Sequence, residues 1–368
     1  MDPDLFAVTR LKRSHHSKGA AKTNVALPTS IFVSRFQKGP VSCRIRLEFF
    51  NQSDNASTVH MSKGPAPLVS IIIPCYNQAH FLSDAIDSAR RQTYSRIEIL
   101  VVDDGSSDNT SEVAASYKDV YCIRQHNQGL SAARNAGLHE SKGSFVVFLD
   151  ADDRLLPIAI ESGENSLNSH PECAFAYGHL TLIAADGSPL LTPKQVCVEK
   201  DHCLELLRRD YIWTPGVVMY RRAVFESALG FDTLIDACAD CDLNIRIARD
   251  WPVHCHGQII LEYRKHGANM SKNPGMMLRT AMAAHRSQFK IVRGNADLEH
   301  AWKAGGRSAQ EYFGSRLLKQ VQENVYSRDW KYAVSGMLTL IRYFPRGLAD
   351  FALKKLSRVV TRSVTKNG

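Results

Sequence analysis

Four short apolar runs alternate with helical segments in the first half of the chain, and this alternation constrains the fold more than any other feature. The runs are Leu68 to Ile73, Ile97 to Val102, Val120 to Arg124 and Phe145 to Leu149. Uninterrupted apolar runs of this length are typical of strands that are buried on both faces of a parallel sheet. The sequence therefore predicts an α/β fold with an open, mostly parallel twisted sheet flanked by helices.

The segments between and after these runs predict helices and a less regular second half. One helical face carries Phe81, Leu82, Ala85, Ile86 and Ala89, a second helix follows Asp108 and Asn109, and a third begins at Leu130. Further along, a hairpin is predicted at Asp186-Gly187, strands at 217–220 and 259–263, and a helix at 240–249. From Gly275 onward the pattern is helical and is interrupted at Pro345.

Residues 1–66 have no sustained period of 2 or 3.6, which predicts an unstructured leader before the α/β region. This leader has ten Lys and Arg against four acids, and residues 341–368 have seven against one. The net charge of +9 therefore belongs to the two ends, and no nucleic-acid-binding face is predicted. With no secretory signal and no run long enough to span a bilayer, a cytoplasmic location is expected.

Carboxylates cluster where the predicted strands end. Asp150, Asp152 and Asp153 follow the fourth run directly, and Asp103 and Asp104 follow the second. Carboxylates brought together at a sheet edge repel one another unless a cation lies between them, and oxygen ligands favour Mg²⁺ or Mn²⁺. A solvated acidic turn that caps the next helix is the alternative interpretation of the D-x-D sequence.

Five segments between residues 67 and 272 together resemble glycosyltransferase family 2. Neither G-x-G-x-x-G nor a P-loop sequence is present; instead the chain has VSIIIPCYN at 69–77, VVDDGSSD at 101–108, NQGLSAARNAG at 127–137, FLDADD at 148–153 and YRKHGANMS at 263–271. The resemblance implies a GT-A fold, with a nucleotide-binding half at 67–157, an acceptor half at 158–272 and a helical C-terminal extension at 273–368.

The resemblance also implies the residues of the donor site. The nucleotide diphosphate-sugar would be bound by Pro74, Tyr76, Asn77, Asp104, Asn127, Gly129, Arg134, Asn135, Asp150 and Arg264. The metal ligands would be Asp150, Asp152 and His266, with Asp152 the direct ligand of a metal on the diphosphate. A metal and a nearby arginine would stabilise the charge that gathers on the leaving group.

The catalytic base is expected in the segment Ala237 to Arg246. Members of the family usually have Glu-Asp followed two residues later by another acid, and here Ala239 stands in place of the glutamate. Asp240 then matches the base and Asp242 the second acid, so both are candidate catalytic residues. The alternative for Asp240 is an acid at a helix N-terminus that is stabilised by the helix dipole.

Nine cysteines from Cys43 to Cys255 suit reduced thiols better than a disulfide framework. Zinc binding by Cys238 and Cys241 with His254 and His256 is an alternative, but the spacing is poor for two ligand knuckles. Small apolar cysteines beside a helix start are the preferred interpretation.

The last helix places Leu348, Ala352, Leu356, Val359, Val360 and Val364 on one side, with Lys354, Lys355, Arg358, Arg362 and Lys366 mostly opposite. Such a helix either lies on an anionic membrane or packs on the body of the protein.

The sequence as a whole predicts a metal-dependent inverting glycosyltransferase. Its partners would be a nucleotide diphosphate-sugar donor and a glycan or lipid-linked acceptor, and its product a cell-surface polysaccharide or lipopolysaccharide made at the inner membrane face. The alternatives are an inactive nucleotide-sugar-binding or scaffold protein, for which Ala239 is the reason, and a nucleotidyltransferase, for which a basic phosphate loop is lacking.

Overall fold

One mixed sheet organises residues 66–364, the part of the chain that the computed structural model describes. Its strands are β1 (Val69–Cys75), β2 (Ile97–Asp103), β3 (Val120–Arg124), β4 (Phe145–Phe148), β5 (Arg154–Leu155), β6 (Phe175–Ala184), β7 (Val218–Arg221) and β8 (Val253–Lys265). Their order in the sheet is β3-β2-β1-β4-β7-β6-β8-β5. The predicted leader lies outside the described residues, apart from Ala66.

The first four strands are parallel to one another, as predicted. Every residue of β1 is buried, which agrees with an apolar run that is covered on both faces. β7 runs antiparallel to β4 and β6, β5 runs antiparallel to β8, and β6 and β8 are parallel. The second half therefore extends the same sheet rather than building a separate one.

Helices cover the sheet and continue beyond it. They are α1 (Ala79–Arg90), α2 (Thr110–Ala115), α3 (Leu130–Glu140), α4 (Ala159–Ser169), α5 (His202–Arg208), α6 (Phe225–Ala228), α7 (Ala239–Asp250), α8 (Pro274–Ser287), α9 (Phe289–Val292), α10 (Ala296–Tyr326), α11 (Trp330–Tyr343) and α12 (Pro345–Val364). On α1 the predicted face is buried at Leu82, Ala85, Ile86 and Ala89.

A glycine allows α3 to approach the sheet closely. A Cβ atom at Gly137 would lie 2.3 Å from Cγ2 of Ile72 in β1, so no larger residue fits there without displacement. The close packing fixes the position of α3 over the centre of the sheet. Because α3 begins just after the carboxyl end of β3, its first turns lie at the edge where the predicted donor residues cluster.

The second half agrees with the predictions at its turn and strands. A tight turn at Asp186-Gly187 follows β6, and Pro189 returns to form an isolated antiparallel bridge with Ile183. The strand predicted at 259–263 is part of the longer β8, whose pairing with β6 shifts register near His179.

The C-terminal helices have a small core of their own, made of Leu278, Met282, Leu317, Val321, Leu340 and Phe344. The predicted interruption at Pro345 is confirmed, since α11 ends at Tyr343 and α12 begins at the proline. The side chains from Leu356 onward, which make up most of the predicted amphipathic face of α12, lie outside the described part.

Candidate active site

The predicted donor residues lie in loops that follow the carboxyl ends of β1, β2, β3 and β4. Tyr76 follows β1 and is 50% exposed, whereas Pro74 is buried inside that strand. Asn77 has a φ of 53°, and its side-chain oxygen accepts the backbone N–H of Ser107 at 2.8 Å. This bond holds the loops after β1 and β2 together, with the Tyr76 ring left open to a ligand.

Asp104 shapes the loop that leads into α3. One of its oxygens accepts the backbone N–H of Gln128 at 2.9 Å and the side-chain amide of Gln125 at 2.7 Å. The other accepts the N–H of Gly129, also at 2.9 Å. Gly129 has a φ of 90°, a conformation that favours glycine, and Asn127 in the same loop is exposed. Asp104 is thus a buried residue that organises the loop, whereas the side chain of Asn127 is open to solvent.

Asn135 also has a positioning role. Its amide nitrogen donates to the carbonyl of Phe231 at 2.8 Å, and its oxygen accepts the N–H of the same residue at 2.9 Å. Both ends of the amide are therefore used to attach the segment after α6 to α3. The sugar-binding role that the resemblance implies for Asn135 does not follow from this geometry.

Asp150 forms a close ion pair with Arg134. The guanidinium of Arg134 lies 2.7 Å from the carboxylate, and the arginine side chain is only 3% exposed, against 26% for that of Asp150. The guanidinium also lies over the ring of Phe231 at 5.2 Å, and its Nε is buried with no hydrogen-bond partner among residues 66–355. A buried arginine that is only partly satisfied is well suited to stabilise further negative charge at this edge.

Asp152 is paired with His266. The Nε2 of His266 lies 2.8 Å from Oδ2 of Asp152, and Asn269 donates to the same oxygen at 3.4 Å. Burial raises the pKa of Asp152, the charge of Asp150 raises it further, and the contact with His266 opposes both. Asp152 and His266 are therefore in contact, and Asp150 acts on Asp152 through its charge, but within the described residues the ligand atoms of the three predicted metal ligands do not all lie within 4.8 Å of one another.

Two carboxylates here suit a divalent cation that completes its ligand shell with water and the phosphates of a donor. Asp150 and Asp152 each have one oxygen engaged by a basic side chain within the described residues, so each retains a second oxygen for a cation. Asp153 beside them is buried, its Oδ1 accepts the N–H of Arg264 at 2.9 Å, and its Oδ2 has no partner in the part of the chain that the structure describes. Burial and the charges of Asp152 and Asp150 raise the pKa of Asp153. Mutual repulsion of this kind is what a bound Mg²⁺ or Mn²⁺ relieves.

Arg264 is a buried strut, which corrects its expected contact with the donor. Its side chain is 2% exposed, and its guanidinium donates to the carbonyls of Asp152 and Ala185 and to the Asp84 carboxylate, at 2.8, 2.9 and 2.6 Å. All three nitrogens are used within the protein, so the residue fixes the backbone of Asp152. The same guanidinium lies 4.9 Å from the centroid of the Phe81 ring.

Asp84 and Phe81 are site-supporting residues that sequence reasoning missed. Both lie on α1, and the Phe81 ring contacts His266 at a centroid distance of 4.8 Å as well as Arg264. Phe81 reads as an ordinary core position, and nothing in the spacing of α1 marks Asp84. Their roles depend on partners about 180 residues further along the chain.

Asp240 lies at the start of α7 and is 8% exposed. Its carboxyl group interacts electrostatically with Arg134 and Asp150. Burial raises its pKa to about 6; the charge of Arg134 lowers the value and that of Asp150 raises it. A carboxylate with a pKa close to neutrality, beside the predicted donor-binding acids, is suited to accept a proton.

Asp242 has a structural role instead, which corrects its expected catalytic one. Its Oδ2 pairs with Nε of Arg246 at 2.8 Å, and its Oδ1 accepts from the hydroxyl of Ser287 at 2.5 Å and from the amide of Gln288. The side chain is 1% exposed, and both oxygens are occupied. Asp242 therefore joins α7 to the end of α8 and has no oxygen directed to the Asp150 cluster.

Comparison with known proteins covers the part of the site that precedes α7, with Tyr76, Asp104, Arg134, Asp150 and Asp152, but not Asp240 or His266. The model of glycosyl transferase family 2 matches residues 70–227. The matched stretch, which is less than half of the chain, belongs to glycosyl transferase family 2. A structure of TarS from S. aureus in complex with UDP-GlcNAc has the same fold, with a TM-score of 0.54 and 19% identity over 67% of this chain and 72% of that one. The family 2 domain thus has the GT-A fold.

Curated relatives of the family 2 domain are also glycosyltransferases. An uncharacterised glycosyltransferase of Rickettsia felis is 36% identical over 214 residues, which is 56% of this chain and 35% of the relative. The uncharacterised glycosyltransferase EpsJ of Bacillus subtilis is 33% identical over 198 residues, 50% of this chain and 57% of the relative. TuaG of the same species, a putative teichuronic acid biosynthesis glycosyltransferase, is 33% identical over 129 residues, 34% of this chain and 51% of the relative. The chain thus spans between about a third and somewhat more than half of these relatives.

The expectation of reduced thiols throughout the chain is wrong at one pair. Cys197, in the segment after β6, forms a disulfide with Cys255 in β8, and Nε2 of His179 lies 3.7 and 3.8 Å from the two sulfur atoms. The pairing escaped prediction because 58 residues separate the two cysteines, and only the sheet brings them together. Cys238 and Cys241 are free and pack against the main core, as the preferred interpretation expected.

No helix between residues 66 and 364 is both long enough and apolar enough to cross a bilayer.

Proposed function

We propose that this chain transfers a sugar from a nucleotide diphosphate donor to an acceptor hydroxyl, with inversion at the anomeric carbon. The proposal is supported by two pairs at the carboxyl end of β4, Asp150 with Arg134 and Asp152 with His266, and by the high-pKa carboxyl of Asp240, which feels the charges of the first pair. Diphosphate stabilisation and proton removal are the two tasks that such a transfer requires, and this edge of the sheet has groups for both.

Asp150, Asp152 and His266 would hold a Mg²⁺ or Mn²⁺ ion, which neutralises charge on a diphosphate leaving group. Arg134 stabilises the same charge from the side of α3, since its guanidinium is buried and only partly satisfied. Arg264 holds the backbone of Asp152 in place, and the ring of Phe81 packs against His266. The ring of Tyr76 and the exposed side chain of Asn127 are proposed to contact the nucleotide and its sugar.

Asp240 is proposed as the general base. It accepts the proton of the acceptor hydroxyl while the oxygen attacks the anomeric carbon from the face opposite the diphosphate. The charge of Arg134 keeps part of the Asp240 population ionised despite its burial. Ala239, at the position where the family usually has glutamate, is fully buried in the core and leaves Asp240 without an acidic neighbour in sequence.

The donor class and the product are proposed from the relatives. TarS is described in complex with UDP-GlcNAc, and TuaG as a putative enzyme of teichuronic acid biosynthesis. By analogy we propose a nucleotide-sugar donor, a glycan or lipid-linked acceptor and a role in cell-surface polysaccharide synthesis on the cytoplasmic side of the membrane. The basic helix α12 is proposed as a point of peripheral contact with that membrane.

The test is a panel of UDP-, GDP- and dTDP-sugars, each with and without Mn²⁺, with nucleotide release and thermal shift measured on the same samples. Release that depends on Mn²⁺ and is lost in Asp152→Asn supports the proposal. Asp119→Asn is the matched control, because Asp119 is an exposed aspartate that pairs with Arg90 on the surface. A thermal shift without any nucleotide release would indicate an inactive nucleotide-sugar-binding protein instead.

A further inference from the structure

A stripe of exposed apolar side chains runs along α11. Trp330, Val334, Leu338 and Ile341 are 59, 57, 63 and 55% exposed. Their spacing of four, four and three residues places them on one side of the helix, within a sector about 80° wide. Isolated exposed apolar residues are ordinary, but a continuous row on a single helix marks a surface that contacts something.

The stripe cannot rotate into the protein, because the other side of α11 is already packed. Ala333, Gly336 and Leu340 are buried, and a Cβ atom at Gly336 would lie 2.4 Å from Cγ2 of Val321 in α10. α11 is therefore held in one orientation by the small C-terminal core. The exposed row is a fixed feature of the surface and faces outward.

Basic side chains lie along one flank of this stripe and on the next helix. Lys331 and Arg342 are exposed on α11, and Arg346, Lys354 and Lys355 are exposed on α12. From residue 325 to 355 the sequence has six Lys and Arg and only two acids. Tyr326, at the end of α10, and Leu353, on α12, are further exposed apolar side chains of the C-terminal helices.

We propose that α11, together with the first turns of α12, lies on an anionic phospholipid surface with the stripe inserted among the lipid head groups. Apolar and aromatic side chains partition into the interface, while the lysines and arginines around them pair with lipid phosphates. This surface adds α11 to the membrane contact proposed for α12, and it does not depend on glycosyl transfer.

The charge of this surface favours an anionic membrane over a protein as its partner. Two copies of the chain that met through the stripe would bring the basic side chains of their C-terminal helices together, and the resulting repulsion opposes a dimer. The predicted leader is also basic, with ten Lys and Arg against four acids, so it too is a poor partner. A surface of anionic lipid is complementary in both polarity and charge.

The experiment is co-sedimentation of the full chain with vesicles of phosphatidylglycerol and phosphatidylcholine, and with vesicles of phosphatidylcholine alone. We expect binding to the anionic vesicles, weakened at least about tenfold by Val334→Glu with Leu338→Glu and, separately, by Lys331→Glu with Arg346→Glu. Leu191→Glu is the matched control for the stripe, because Leu191 is 72% exposed but lies in the segment after β6. All of these side chains are exposed, so the variants keep their fold.

Several results would overturn the inference. One is equal binding of both vesicle types with no effect of the charge reversals; another is no binding to anionic vesicles at all. A dimer in solution that dissociates in the Val334→Glu, Leu338→Glu variant would assign the stripe to a second copy of the chain. Vesicle binding needs no donor, and Asp152→Asn should bind vesicles normally, so failure of the proposed enzyme activity is recognised separately.

Discussion

Replacement of Asp240 by asparagine should abolish most turnover and leave the fold intact. Loss of a general base typically lowers a rate by about 10²- to 10⁴-fold, and the amide has nearly the volume of the carboxyl group. Because burial disfavours the charged form of Asp240, the neutral amide should not lower the melting temperature. Donor and metal binding should also persist, because the proposed metal ligands are other residues.

The pH dependence of the wild-type enzyme follows from the same residue. The base acts in its ionised form, so activity is present above its pKa and is lost as the pH falls through that value. With the pKa of Asp240 at about 6, roughly nine tenths of the carboxyl is ionised at pH 7 and roughly one tenth at pH 5. The kcat/KM of the enzyme should therefore fall about tenfold between pH 7 and pH 5.

Asp242→Asn is the matched comparison, because it makes the same chemical change two residues away. Removal of one partner of a buried ion pair typically costs about 3–5 kcal/mol. The lower end of that range is expected here, since Arg246 is 22% exposed and also donates to the carbonyls of Ala228 and Gly230. This variant should melt earlier and keep its turnover per folded molecule.

The assay is kcat and KM for nucleotide release at pH 5 to 8, together with melting temperatures for all three proteins. A profile that is flat across this range would refute Asp240 as the base. Loss of turnover in Asp242→Asn at an unchanged melting temperature, with Asp240→Asn still active, would assign the base to Asp242.

Other perturbations test the supports of the site and of the fold. Asp84→Asn should raise the Mn²⁺ concentration needed for half-maximal nucleotide release, because Arg264 loses the carboxylate that holds it; an unchanged metal titration would contradict this. Cys197→Ser opens a loop of 58 residues and should lower the free energy of unfolding by up to about 4 kcal/mol, as measured with urea under oxidising conditions; no change would contradict it. Gly137→Ala should cost about 1–3 kcal/mol by crowding Ile72, and an unaltered urea midpoint would show that α3 can shift.

The sequence predicted those parts of the fold that depend on local pattern. The apolar runs predicted the parallel strands. The acids directly after the fourth run predicted that Asp150 and Asp152 lie at the carboxyl end of a strand. These features need no knowledge of distant residues.

Features that depend on distant partners were missed or misjudged. Asp242 reads as an acid in a family motif, but its partners Ser287 and Gln288 come some 45 residues later. The disulfide at Cys197 and the strut at Arg264 likewise depend on which strands become neighbours in the sheet. The outward stripe of α11 has the same origin, since only the packing of α10 against α11 decides which apolar side is covered.

The ion pair of Asp150 with Arg134 bears on how the proposed metal ion would be held. Asp150 already has a buried positive charge beside it, so the acids at 150, 152 and 153 do not add up to three uncompensated negative charges. The charge of a divalent ion bound here would be balanced in large part by the phosphates of the donor. The ion and the donor would then bind together, each weakly without the other.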